Sequence, residues 1–100
     1  MHTILTTDVF DLWFEQLRDN QAKARIKARL RRAEDGNFGD AKPVAKGISE
    51  MRIHYGAGYR LYFMQNGFEI VLLLAGGDKS TQANDIQTAL ALARKVKEEK

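Results

Sequence analysis

Within the stretch SEMRIHYGAGYRLYF, Ser49–Phe63, the polar positions of two alternating runs are held by Arg52, His54, Arg60 and Tyr62. Guanidinium groups are permanent cations at neutral pH. They bind phosphate and neutralise the extra charge that builds up during phosphoryl transfer. An imidazole moves a proton near pH 7, and a phenol ring stacks on a nucleobase. Lys79 follows the last strand-like run and is close enough in sequence to join the same end of a sheet. Gathered on one surface, these groups suit RNA cleavage, in which the ribose 2′-OH attacks the adjacent phosphate; DNA lacks that hydroxyl. Taken singly, each has a plainer reading: arginines on a solvated sheet face, a surface histidine, a packing tyrosine.

The surrounding pattern predicts the elements that would gather them. Thr3–Thr6 reads as a short strand. Thr7 or Asp8 can cap a helix whose Phe10, Trp13, Phe14 and Leu17 recur at i, i+3, i+4 and i+7. A second helix from Gln21 to about Glu34 shows a narrow apolar stripe, Ala22, Ile26, Leu30 and Ala33, amid Lys23, Arg25, Lys27, Arg29, Arg31 and Arg32. The segment from Phe38 to Gly47, with Gly39 and the only proline, Pro43, reads as a loop. Gly56-Ala57-Gly58 is expected to close a hairpin that pairs His54 with Arg60 and Arg52 with Tyr62. Asn66-Gly67 is expected to form a two-residue turn that pairs Phe63 with Ile70 and Leu61 with Leu72. On that register Val71 and Leu73 would make an apolar floor beside Arg60 and Tyr62, as in a concave site or an interface. A last helix carries Ile86, Ala89, Leu90 and Ala93 on one face, with Ser80 or Thr81 as its cap.

Composition narrows the classes. With 100 residues, 44% of them apolar, the chain suits one domain, 1–100, with a single core. The absence of cysteine excludes a disulfide framework and thiolate chemistry, and suits the cytoplasm. His2 and His54 are far apart with no supporting carboxylate spacing, so neither a metal site nor a cofactor is expected. The longest apolar run, Ile70–Ala75, is far too short to span a bilayer. The stretch Gly76-Gly77-Asp78-Lys79-Ser80 lacks the spacing of a phosphate loop. Net charge of +3 says little alone, but Arg18–Arg32 holds seven cations with Asp19 the only acid, which marks a basic helix.

Gly47–Phe63, together with the run Leu72–Gln82 and Asp85-Ile86 after it, resembles the addiction-module killer proteins of the RelE/HigB toxin superfamily. The resemblance extends over almost the whole chain. It implies a small α+β fold: an N-terminal strand, two helices, a three-stranded antiparallel sheet and a C-terminal helix. It also implies a toxin of a bacterial type II toxin–antitoxin system that cuts messenger RNA on the ribosome. Arg60 and Lys79 would stabilise the scissile phosphate, Arg52 would position the backbone, and His54 would transfer the proton. Tyr62 would meet RNA, and Lys23, Arg25, Arg29 and Arg32 would dock on ribosomal RNA through phosphate contacts. Implied partners are the ribosome, messenger RNA and a cognate helix-turn-helix antitoxin, with promoter DNA reached only through that antitoxin. A ParE-like inhibitor of gyrase, or a non-catalytic member that keeps antitoxin binding, are the alternative readings on the same fold.

Overall fold

The structure is a computed structural model and describes residues 2–98. It is an α+β arrangement of five strands and three α-helices: β1 (Thr3–Thr6), α1 (Asp8–Gln16), α2 (Asn20–Glu34), β2 (Ala41–Ala45), β3 (Ile48–Ile53), β4 (Tyr59–Asn66), β5 (Ile70–Gly77) and α3 (Gln82–Glu98). The strands form one mixed sheet in the order β1-β5-β4-β3-β2, with β1 parallel to β5 and every other pair antiparallel. The expected three-stranded sheet is therefore its centre. Two edges complete it: β1 joins β5, and the supposed loop before Gly47 supplies β2. Pro43 has no N–H to donate, and an edge strand tolerates that loss; the ladder shifts register between Pro43 and Ala45.

The sheet is covered on both faces. Against one lie α1 and α2, burying Phe10, Ile26, Ala33, Met51, Ile53, Leu61, Phe63, Val71 and Leu73. Against the other lies α3, burying Ile48, Tyr62, Leu74, Ala75, Ala89 and Ala93. Val71 and Leu73 are thus core residues beneath α1 and α2, and the exposed apolar floor expected of them does not exist. The cause is the β4–β5 turn. Asn66 pairs with Ile70 across a three-residue loop, Gly67-Phe68-Glu69, so Phe63 faces Leu73 where Ile70 was expected. A slip of three residues is odd, and an odd slip turns every side chain to the opposite face. Between Tyr62 and Phe63 the register shifts once more, leaving Leu74 as the extra residue. The β3–β4 hairpin also departs from expectation, with Arg52 opposite Arg60 and Glu50 opposite Tyr62. That slip is two residues, so the faces are kept.

Local chemistry sets the helix starts. Thr7 caps α1 by accepting from the Phe10 N–H at 3.1 Å, while its hydroxyl donates to the Leu74 carbonyl at 2.7 Å and ties the helix to β5. Asp19 caps α2 by accepting from the Gln21 and Ala22 N–H groups. Ahead of α3, a 3-10 turn at Lys79–Thr81 is capped by Asp78, whose carboxylate accepts from the Ser80 N–H at 2.8 Å. Among the described residues no helix is long and apolar enough to cross a membrane.

Trp13 lies flat against the backbone of β5 at Gly76, where a Cβ would overlap the indole ring. Gly76→Ala is expected to lower stability by about 1–3 kcal/mol through overpacking, as read by urea denaturation. In a Trp13→Leu background the same substitution should cost less than half as much, and an equal cost in both would refute the close-approach account.

Candidate functional site

At the end of the sheet where β3 finishes and β4 begins, Arg52 and Arg60 stand directly opposite each other. Two guanidiniums on a directly opposed pair repel. Between them sits Glu50, completely buried, with its carboxylate oxygens 3.5 Å from Arg60 Nε and 3.9 Å from Arg52 Nε. The Gln82 side-chain amide, at the start of α3, donates to the same carboxylate at 3.4 Å. The Nε sides of both arginines are thereby turned inward. Arg60 Nη1 donates to the Gly58 carbonyl at 3.1 Å, and Arg52 Nη2 bonds the Asp40 carboxylate at 2.8 Å. Glu50 belongs to this cluster, and the sequence reading did not single it out.

The loop His54–Gly58 brings Lys79 in. The Lys79 N–H donates to the Ala57 carbonyl at 3.4 Å. Gly58 has φ +78°, and a methyl group added there would meet Lys79 Cβ at 3.6 Å and Arg60 Nη1 at 3.7 Å. Arg60 and Lys79 therefore flank the same glycine, and the Lys79 side chain is exposed.

Asp40 supplies a second acid. Its carboxylate bridges Arg52 and the Nε2 of His54. Hydrogen bonds from Arg52 and then His54 hold its pKa down at about 2. His54 is exposed and lines a cavity of about 340 Å3 with Arg25, Ala28, Arg29, Arg32 and Ile53. The helix α2 and the β3 terminus, separate regions in sequence, thus form one groove.

Two expected RNA contacts are corrected. Tyr62 is fully buried under α3 and offers no ring face to a base. Burial, reinforced by the charges of Glu50 and Asp85, pushes its phenol up to about 12, so it carries no proton traffic near neutrality. Arg29 is likewise buried, its guanidinium donating to the carbonyls of Arg52 at 2.5 Å, Phe38 at 2.8 Å and Asp40 at 3.4 Å. It is a structural strut for the loop before β2, where Gly39, at φ +64°, leaves it room. Burial lowers its pKa, yet a guanidinium remains charged. The other α2 cations stay near the surface. Arg25 stacks on the Tyr55 ring at 4.6 Å, Lys23 lies over Phe14 at 5.6 Å and donates to the Glu15 carbonyl, and Arg32 is exposed.

The fold and this cluster define a small α+β protein with a cationic end, where Arg52 and Arg60 flank one buried carboxylate and Lys79 stands beside Arg60. No family model matches the chain. Over 93 residues it is 50% identical to an uncharacterized protein of Haemophilus influenzae, covering 93% of this chain and 94% of that one. The chain belongs to the same family as that protein.

The Asp40 bridge carries a pH signature. Its carboxyl is lowered from 3.8 in the unfolded reference to about 2 in the fold, so its contribution is complete above about pH 5 and is lost as pH falls towards 2. Urea midpoints of the wild type and Asp40→Asn, measured from pH 2 to 6, should differ by a constant amount above about pH 5 and converge in acid. A gap independent of pH would show that the bridge is not formed.

Proposed function

We propose that the protein is a RelE/HigB-type toxin of a type II toxin–antitoxin system, acting as a ribosome-dependent messenger RNA endoribonuclease. The observation that carries this reading is the meeting of Arg60, Lys79 and Arg52 at one end of the sheet. Glu50 anchors the two guanidiniums from behind, and Lys79 stands exposed beside them. Such a cluster binds a phosphodiester and favours the more highly charged transition state over the ground state. In the reaction the 2′-OH loses its proton, a bond forms from O2′ to phosphorus, the bond from phosphorus to O5′ breaks, and the leaving oxygen takes up a proton. The products are a 2′,3′-cyclic phosphate and a 5′-hydroxyl end. Arg60 and Lys79 neutralise the non-bridging oxygens, Arg52 orients the strand, and His54 transfers a proton.

The order of elements, one strand, two helices, four strands and a final helix, is compatible with a RelE-like fold. The antitoxin, a helix-turn-helix protein whose complex would bind the shared promoter, rests on the family resemblance alone, and so does the cytoplasmic setting.

Primer extension on translated and untranslated reporter messages after induction tests the reading. Cuts confined to the translated message are expected. Intact messages with stalled replication would replace this reading with the gyrase-inhibiting one. Lys79→Ala makes the sharper variant, because its side chain is exposed and supports no core contact. Stability should stay within about 0.5 kcal/mol of wild type, while cleavage falls by about 10²–10³-fold. A folded Lys79→Ala protein that cuts at the normal rate would remove Lys79 from the mechanism.

A further inference from the structure

The groove between α2 and the end of β3 joins side chains that the sequence assigns to different tasks. Arg25 and Arg32 lie on α2 one wall away from His54, with Ala28 and Ile53 as floor. Arg25 is preorganised: its guanidinium stacks on Tyr55, whose hydroxyl donates towards Asp19 and Gln21 at the start of α2. A guanidinium stacked on a ring keeps its edge N–H groups free for phosphate oxygens. Arg29 also lines the groove, but it is buried and both of its Nη groups bond backbone carbonyls, so it fixes the wall and leaves the anion to its neighbours. Two carboxylates stand beside the groove: Asp19, bonded to the Tyr55 hydroxyl next to Arg25, and Asp40, which faces Arg52 and His54.

We propose that this groove binds the phosphodiester next to the scissile one against Arg25 and Arg32 and so brings the adjoining ribose to His54, with Asp40 as the positioning residue that orients the imidazole. The proposal rests on the endoribonuclease reading and deepens it: Arg25 and Arg32 hold the substrate itself, beyond any docking on ribosomal RNA. Asp40 accepts at Nε2, so the neutral ring carries its proton there and leaves the Nδ1 lone pair to receive the proton of the 2′-OH. Asp40 is fixed in turn from two sides. The Arg52 N–H donates to its carbonyl at 2.9 Å, and Arg29 braces the loop through the Phe38 and Asp40 carbonyls.

The test uses nuclear magnetic resonance on the full chain with a 2′-O-methyl RNA tetranucleotide, which cannot be cleaved. Titration should shift the resonances of Arg25, Arg32 and His54. Arg25→Ala/Arg32→Ala should weaken the affinity about tenfold or more, whereas Lys95→Ala, on the exposed face of α3, should leave it unchanged. Nitrogen-15 spectra of neutral His54 should show the Nε2–H tautomer in wild type and its loss in Asp40→Asn, and the pH–rate profile of that variant should be displaced. A groove left unperturbed by the tetranucleotide, or the same tautomer in both proteins, would overturn the proposal even if the protein cleaves messages. Binding in the groove by a protein that cuts no message would instead leave the groove standing and remove the endoribonuclease reading.

Discussion

Glu50 is the constraint on which the cationic end of this molecule depends. Arg52 and Arg60 occupy directly opposed positions of an antiparallel pair, where like charges repel, and neither could be partly buried there alone. A fully buried carboxylate between their Nε groups turns the repulsion into a three-charge network with net charge +1. It also aims the guanidiniums, since the Nε edges face inward and the Nη groups are left for the Gly58 carbonyl and Asp40. Gln82 completes the arrangement from α3, so the final helix has a direct part in the site as well as a packing role.

The two covered faces of the sheet explain why the site lies at one end of it. With α1 and α2 on one side and α3 on the other, the broad surface of the sheet is core. The edge strands β1 and β2 are partly exposed, and Arg52, Arg60 and His54 gather where β3 and β4 meet the loop that joins them. Arg29 shows how strongly the fold recruits charge for this purpose: a buried guanidinium braces the loop that delivers Asp40 to Arg52 and His54. Removing such a strut would take a donor from three backbone carbonyls, of which that of Asp40 keeps the Arg52 N–H.

Much of this was legible in the sequence because period and spacing carry it. The amphipathic run of α1, the basic character of α2 and the alternation of β3 and β4 stated which elements would form. The alternation also put Arg52 and Arg60 on one face, and an even register slip did no harm to that inference. The β4–β5 register was not legible, because Asn66-Gly67 fits a two-residue turn while the chain uses Gly67-Phe68-Glu69. The odd slip then moved Val71 and Leu73 into the core. Two further signals were present and overlooked. Glu50 is in phase with Arg52 and His54 at i, i+2 and i+4. Arg29 falls on the stripe Ala22, Ile26, Arg29 and Ala33, which gives it away as a buried arginine. Asp40 had no local signal, since only the pairing of β2 with β3 brings it to His54.

Denaturant unfolding of Glu50→Gln in two backgrounds tests the role of the buried carboxylate most directly. In the wild-type background the substitution leaves two opposed arginines without their counter-charge and should cost about 3 kcal/mol. In an Arg52→Met/Arg60→Met background there is no charge left to balance, and the same substitution should cost nothing or add stability. Equal costs in the two backgrounds would contradict the account, because Glu50 would then be held by something other than the arginines it is said to aim.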